Sequence, residues 1–177
     1  SSSSVRSRPY TYIFTESDFT RSVPSLWFPA ALSSALAHES VRALSEKELL
    51  VMHVYHLVCF MDYTTELEMS HVNEAVQCMV VGGLSKYFDE EERRIALKIY
   101  TDEGYHALFS REIADQVAKH FDVVRIRPAR IERLDDILKN SPSGLSCFTR
   151  FCIGFVSETL IARELLRFSR NSLVGPV

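Results

Sequence analysis

The chain has 177 residues, of which 46% are hydrophobic and 24% are charged, and its formal net charge is -3. This length fits one domain with a sizeable core, and the mixing of acids and bases excludes the clustered basic face that nucleic-acid binding needs. The four cysteines form no CxxC pair, which favours a reducing compartment and predicts a cytoplasmic protein.

The N-terminal third predicts a tail, an arm and one short helix. Residues 1–9 are polar without a signal-peptide pattern, and they predict a disordered tail. Segment 10–29 contains prolines and aromatic residues and predicts an arm packed on the domain, followed by a short helix over Ala30–Ala43. The apolar stretch Leu49–Met61 is shorter than the about 20 residues that span a bilayer, so no membrane partner is expected.

Two long helices are predicted next, because each begins with a capping pattern in which Ser or Asp precedes Glu by three residues. The first helix runs from Ser45 to the glycines at 82–83, which are a natural C-terminal stop. The second runs from Asp89 to about Phe121, and its acidic first turn suits the positive end of the helix dipole.

The remaining chain predicts an extended connector or short strand over Val123–Pro128, a short helix over Ile131–Leu138, a loop over Asn140–Gly144 and a last long helix over Leu145–Arg170. The arginines in this region are interpreted as a solvated face, and they are Arg125, Arg127, Arg130 and Arg133. Long helices with almost no strand signals predict an all-α helical bundle.

Each long helix places an acid in the middle of a mostly apolar row at helical spacing. Glu68 interrupts the row of the first helix, Glu103 with His106 that of the second, and Glu158 that of the last. The last row is rich in phenylalanine and is expected to face inward; its members are Phe148, Phe151, Phe155, Glu158, Ala162, Leu165 and Ser169.

Carboxylates on an inward face predict a metal centre, because a buried carboxylate costs several kcal/mol unless it is paired. Several acids close together also repel one another, and bound cations remove that repulsion. Ferritin-like dimetal bundles take one Glu from each of two helices and a Glu-x-x-His pair from each of the other two. The sequence therefore predicts a ferritin-like bundle that binds two iron ions through Glu68, Glu103, His106 and Glu158.

Other residues leave alternatives to this ligand set. Glu74 is the alternative to Glu68, and His71 is an alternative ligand because it lies three residues after Glu68. His53 and His56 lie in an apolar stretch and are interpreted as core or edge residues. The metal-free alternative is that Glu103 pairs with His106, while the other acids meet arginines or solvent.

Around the predicted ligands the chain resembles the bacterial di-iron N-oxygenases of the p-aminobenzoate N-oxygenase type, which convert arylamines to nitro compounds. The resemblance covers most of residues 24–177. It rests on three segments: Thr65-Glu-Leu-Glu68, Thr101-Asp-Glu-Gly-Tyr-His106 and Ser157-Glu-Thr-Leu-Ile161.

The resemblance implies an oxygenase with two iron ions, dioxygen as co-substrate, a small-molecule amine substrate and an electron donor or reductase, acting in specialised metabolite biosynthesis. It makes Glu68 and Glu158 carboxylate ligands, and it makes Glu103 and His106 ligands from one helix. That family completes its site with a further helix carrying His and Glu ligands, and no such segment follows Glu158.

The domain over residues 10–177 is therefore expected to be C-terminally incomplete, without its final ligand helix, and to bind metal poorly or not at all by itself. A truncated chain is favoured over a degenerate family member. A second hypothesis keeps the di-iron centre but changes the reaction to hydroxylation, desaturation or oxidative cleavage. A third is a metal-free helical interaction module. A homodimer is compatible with each of them.

Overall fold

The computed structural model describes residues 13–20 and 23–169, and this part of the chain contains helices and no strand. The prediction of an all-α protein is confirmed for these residues. The tail predicted over residues 1–9 and the end of the last helix beyond residue 169 lie outside the described residues.

The main helices follow one another with short connections. They are α1 (Glu46–Leu67), a π-helical segment (Glu68–Val72), α2 (Asn73–Val80), α3 (Glu90–Phe121), α4 (Ala129–Lys139) and α5 (Ser146–Ser169). Single helical turns occupy Glu16–Phe19, Ser34–Ala37 and Glu39–Arg42, and 3₁₀ turns occupy Pro24–Leu26, Ala30–Leu32 and Ser143–Leu145.

Both predicted capping boxes are present. The Ser45 hydroxyl accepts from the backbone amide of Glu48, whose carboxylate accepts from the Ser45 amide at 2.9 Å. Asp89 and Glu92 form the same pair of bonds at the start of α3. These reciprocal bonds satisfy amide groups that a helix start leaves unpaired, which explains why the two helix starts could be read from the sequence.

Two predicted helices differ from the structure. The helix expected over Ala30–Ala43 is broken at Ser33 and at His38, which both have an extended backbone; the Nδ1 of His38 accepts from the Ser40 amide at 3.3 Å. The long helix from Ser45 is interrupted by the π-helical segment Glu68–Val72 and ends at Val80. Val123–Pro128 is an extended connector and not a strand.

The continuous rod of α1, the π-helical segment and α2 lies between α3 and α5. Helix α3 packs along α1 and α2, whereas α5 packs on the π-helical segment and α2; the described parts of α3 and α5 barely touch each other. Two buried clusters form the core. The first is Trp27, Phe28, Leu36, Val54, Leu57, Val58, Val117 and Ala118, and the second is Leu67, Val72, Val76, Ala96, Ile131 and Ile161.

The predicted orientation of α5 is wrong for its phenylalanine row. Phe148 and Phe155 have 45% and 65% of their surface exposed. The buried face of α5 instead carries Ile153, Gly154, Ser157 and Ile161. Gly154 explains this orientation, because a Cβ there would lie 3.2 Å from the Cβ of Ala75. The glycine face lets the two backbones approach closely, so the bulky rings are turned outward.

The segment Ser143–Glu164 is long and apolar enough to cross a membrane, with a mean hydropathy of 1.4, and only 22% of this stretch is buried. Length and composition alone do not separate a membrane helix from a core helix with an uncovered side. Arg150 and Glu158 lie within the segment, and both are partly buried against other helices.

Helix α4 is held by one deeply buried side chain. Ile131 is fully buried in the second core cluster, and Leu134, which is partly buried, packs against the same cluster. We expect Ile131→Ala to lower the free energy of unfolding by about 2–3 kcal/mol, because it removes apolar contacts and leaves a cavity. Ile137→Ala on the exposed face of α4 is the matched control and should change it by less than about 0.5 kcal/mol. Urea denaturation measures both, and equal losses would contradict this packing.

Candidate metal centre

Glu68, Glu103 and His106 come together between the start of the π-helical segment and α3. One possible ligand atom from each lies within 4.8 Å of the other two. Glu158 of α5 lies near enough for its charge to act on the ionisation of Glu68 and His106. The structure therefore places all four sequence-predicted ligands in one neighbourhood, with three of them in direct proximity.

Small residues on α3 allow this approach. Helix α3 turns a buried row of short side chains toward α1, and the row consists of Ala96, Ala107, Ser110 and Ala114 together with Glu103. One turn before Glu68, the Thr65 hydroxyl donates to Met61 O at 2.9 Å and lies 3.5 Å from Ala107 O. Because little side-chain volume separates the helices, carboxylates from both can reach the same space.

Glu68 is the most deeply buried acid of the cluster, with 2% of its surface exposed. Burial, then the negative charges of Glu158 and Glu103, and a hydrogen bond with Glu103 raise the pKa of Glu68 to about 10. Glu68 is therefore protonated at neutral pH in the metal-free protein. Its carboxyl proton can be donated to Glu103, which makes Glu103 the acceptor at the centre of the cluster.

His106 closes the cluster on its solvent side. Its Nδ1 lies 2.7 Å from Glu103 Oε2, and 52% of its side chain is exposed. The hydrogen bond to Glu103 raises the pKa of His106, while burial opposes the shift. The imidazole thus lies at the rim of the cluster, on the flank of the buried face of α3.

Glu158 approaches the cluster from α5. Burial and the charge of Glu103 raise its pKa, whereas His106 lowers it. Glu158 Oε1 and Glu68 Oε2 are both buried without a hydrogen-bond partner among the described residues. Buried oxygens in folded proteins nearly always accept a hydrogen bond. These two unpaired carboxylate oxygens are therefore the most unusual feature of the cluster.

The π-helical segment was not predicted, and it changes the surroundings of Glu68. It begins at Glu68, and it buries His71 and Val72 directly before the buried Asn73, the first residue of α2. In a regular α-helix three successive side chains point in widely different directions. The wider turn of the π-helical segment lets more successive side chains face the interior of the bundle. Such insertions are frequent at functional sites. No residue pattern in the sequence marks it.

The alternative ligands lie elsewhere. The buried ring of His71 faces α4, with Nε2 3.5 Å from Asp135 Oδ1, and burial lowers its pKa. Glu74 forms an ion pair with Arg150 of α5. His53 Nδ1 lies 2.5 Å from the carbonyl oxygen of Phe28, as the core interpretation requires.

Tyr63 is a further polar group near the cluster. Burial raises the pKa of its phenol, and the negative charges of Glu68 and Glu158 add to this effect, while Arg130 opposes it. The Arg130 guanidinium lies 5.8 Å from the centre of the tyrosine ring. Tyr63 therefore belongs to the electrostatic surroundings of the carboxylates.

No known protein family matches the chain, and no curated protein or solved structure is significantly similar to it. The class that the fold and the cluster define is an all-helical protein with buried carboxylates and a histidine between its helices. The resemblance to di-iron N-oxygenases rests on the sequence segments named above and stays a prediction.

Proposed function

We propose that this chain supplies part of the ligand set of a ferritin-like, non-haem di-iron oxygenase. The observation that carries the proposal is the convergence of Glu68, Glu103 and Glu158 with His106, where two buried carboxylate oxygens have no partner among the described residues. A bound cation would satisfy both oxygens and relieve the repulsion that raises the pKa of Glu68.

The chemistry of the donors fits iron. Carboxylate oxygens and an imidazole nitrogen are the ligand types of non-haem iron sites. Dimetal bundles use four Glu and two His residues, and this cluster supplies three and one of them. The second Glu-x-x-His pair would come from a helix outside the described residues. Exposed apolar side chains, among them Ile95 of α3 and Phe155 of α5, offer surface for it.

In such a site, the residues of this chain would transfer a proton and limit the access of water. Iron bound at the cluster would polarise dioxygen. Glu68 would release its proton when a cation binds, because a metal ligand must be deprotonated. Leu67 precedes Glu68 and Val72 follows it by four residues; both are buried and would limit the access of water to Glu68. His106, at the rim, exposes half of its side chain and provides the route by which that proton reaches solvent.

The metal proposal predicts a specific loss on mutation. The 177-residue chain should bind Fe(II) weakly under anaerobic conditions, because its ligand set is partial. Glu103→Gln should weaken that binding at least about 100-fold, since even an outer-shell change at a metal site costs 10–100-fold. Equilibrium dialysis with iron analysis measures this binding, and a rise in the melting temperature with Fe(II) provides an independent readout.

Glu164→Gln is the matched control. Glu164 lies on α5 six residues after Glu158, but its carboxylate meets Arg163 and Arg167 on the surface. It should bind Fe(II) as the unmodified chain does. If Glu103→Gln and the unmodified chain bind iron with the same affinity, or if the intact protein with its full ligand set binds none, the metal proposal fails and the metal-free interaction module becomes the better hypothesis.

The reaction is proposed from the family resemblance: oxidation of the nitrogen of a small-molecule amine in a cytoplasmic biosynthetic step, with an external electron donor. The intact iron-loaded protein, supplied with dioxygen, a reductant and a panel of arylamines, should give hydroxylamine, nitroso or nitro products by mass spectrometry. Products oxidised only at carbon would favour the hydroxylase or desaturase alternative.

A further inference from the structure

Two cysteines meet where α2 ends and α5 begins. Cys78 lies in the last turn of α2, and Cys147 is the second residue of α5. Gly83 lies between them: a Cβ there would be 2.8 Å from Cys147 Sγ and 3.2 Å from the carbonyl oxygen of Cys78. The Gly83 amide donates to that same carbonyl at 2.9 Å. The missing side chain at position 83 therefore admits the Cys147 sulfur next to Cys78.

The two thiols interact directly. Burial, a hydrogen bond with Cys147 and the charge of that neighbour raise the pKa of Cys78 to about 12. Both cysteines are partly buried, whereas Cys152 is exposed and Cys59 lies in α1. The pair joins residues that are distant in sequence, so its proximity depends on the fold.

We propose that Cys78 and Cys147 form a reversible oxidation site, which a peroxide converts into a disulfide linking the end of α2 to the start of α5. The site is separate from the carboxylate cluster and does not depend on the proposed iron centre. It requires only that the two sulfurs lie within reach in the folded protein.

The reaction balances with a hydroperoxide as oxidant. The Cys147 thiolate attacks a peroxide oxygen, so that an S–O bond forms, the O–O bond breaks and hydroxide leaves as water after protonation. Attack begins at Cys147 because the raised pKa of Cys78 makes its thiolate scarce at neutral pH. The Cys78 sulfur then displaces the sulfenic hydroxyl as a second water, forming the S–S bond. Two thiols lose two electrons and two protons.

The disulfide would close a long loop that contains all of α3 and α4. Closing such a loop restricts the unfolded chain and should raise the melting temperature by roughly 5–15 °C. It would also fix α5, which carries Glu158, against α2. Reduction with dithiothreitol should reverse the shift.

The test oxidises the purified protein with a small excess of hydrogen peroxide, blocks remaining thiols with N-ethylmaleimide and maps peptides by mass spectrometry. We expect one linked peptide pair containing Cys78 and Cys147, formed at least about tenfold faster in the native protein than in urea, because folding holds the sulfurs together. A Cys59→Ser/Cys152→Ser variant should behave like the unmodified protein.

Cys147→Ser provides the negative control and should abolish both the linked peptide and the rise in melting temperature. Three outcomes would overturn the proposal: sulfinic acid at Cys147 without a linked peptide, links that involve Cys152 instead, or equal rates in the native and urea-unfolded protein. The peptide map of the unmodified protein decides the question even if the serine variant folds poorly.

Discussion

Replacing Glu68 by glutamine is expected to stabilise the metal-free protein by about 3–5 kcal/mol at pH 8, and at the same time to abolish its metal binding. The two effects have one cause. Glu68 is buried beside Glu103 and Glu158, and this environment favours its neutral carboxyl form. Its ionised form is stabilised only when a cation is bound. Glutamine is permanently neutral, and its amide can still donate to Glu103.

The size of the effect follows from proton linkage. The pKa of Glu68 rises from its ordinary 4.5 to about 10 in the folded protein, so between these values the folded state binds a proton that the unfolded state has lost. The stability contributed by this proton is complete below pH 4.5 and is lost as the pH rises toward 10, at about 1.4 kcal/mol per pH unit. The Glu68→Gln variant has no carboxyl group at this position, so its free energy of unfolding does not fall in this way as the pH rises.

Urea denaturation with a chelator present, at pH 5.5 and pH 8, tests this. The gain from Glu68→Gln should be small at pH 5.5 and several-fold larger at pH 8, while the surface variant Glu164→Gln should change neither value by more than about 0.5 kcal/mol. Equal effects of Glu68→Gln at the two pH values would mean that Glu68 is ionised in the folded protein and that the interior between α1 and α3 is not dry.

The helical architecture could be predicted because its signals are local. The capping boxes at Ser45 and Asp89 and the stop at Gly82 act within a few residues, and the structure reproduces them. Gly82 has a φ of 83°, a conformation that side chains with a Cβ disfavour. The break at His38 could not be predicted in the same way, because its ring caps a new helical turn where the sequence predicts a continuous helix.

Glu68 and Glu103 could be found because they stand in rows of mostly apolar residues, although the row of Glu103 is only partly buried: Ala96 and Val117 are buried, whereas Ile99 is 38% exposed. Glu68 follows the row of Val54 and Val58, and all three are buried. On α5 the row of phenylalanines misled the prediction. There the hydrophobic residues outnumber the positions that face the bundle, so hydrophobicity no longer indicates direction; Gly154, through close packing, sets the orientation instead.

Interactions between distant residues could not be read from the sequence. The sequence predicts a solvated face for the arginines after α3, but Arg125 and Arg127 of the connector pair with Asp62 and Glu66 of α1. Asp62 and Glu66 are four residues apart and share one face of α1, and Arg125 and Arg127 are two residues apart on the extended connector. Each pattern is visible by itself, but their pairing depends on where the connector lies in the folded chain.

Arg125→Ala is expected to lower the free energy of unfolding by about 3–5 kcal/mol, because it leaves a buried carboxylate without its partner. Asp62 is buried in α1, and its Oδ2 accepts from Arg125 Nε at 2.9 Å. A second guanidinium nitrogen contacts Asp62, and a third contacts Asp115 of α3. The hydrogen bond to Asp62 is the largest cause of the raised pKa of Arg125, and the hydrogen bond to Asp115 adds to it. One side chain thus ties the connector to both long helices.

Arg127→Ala is the matched comparison, two residues away on the same connector. Its partners Glu66 and Asp135 are solvent-accessible, and its loss should cost only about 0–1 kcal/mol. The double variant Asp62→Asn/Arg125→Ala removes the stranded charge as well, so it should be more stable than Arg125→Ala alone by about 1–3 kcal/mol. Urea denaturation of the unmodified protein, Asp62→Asn, Arg125→Ala and the double variant completes a double-mutant cycle. Similar losses for Arg125→Ala and Arg127→Ala would show that Asp62 keeps its hydration, and the connector would then contribute little to holding α1 and α3 together.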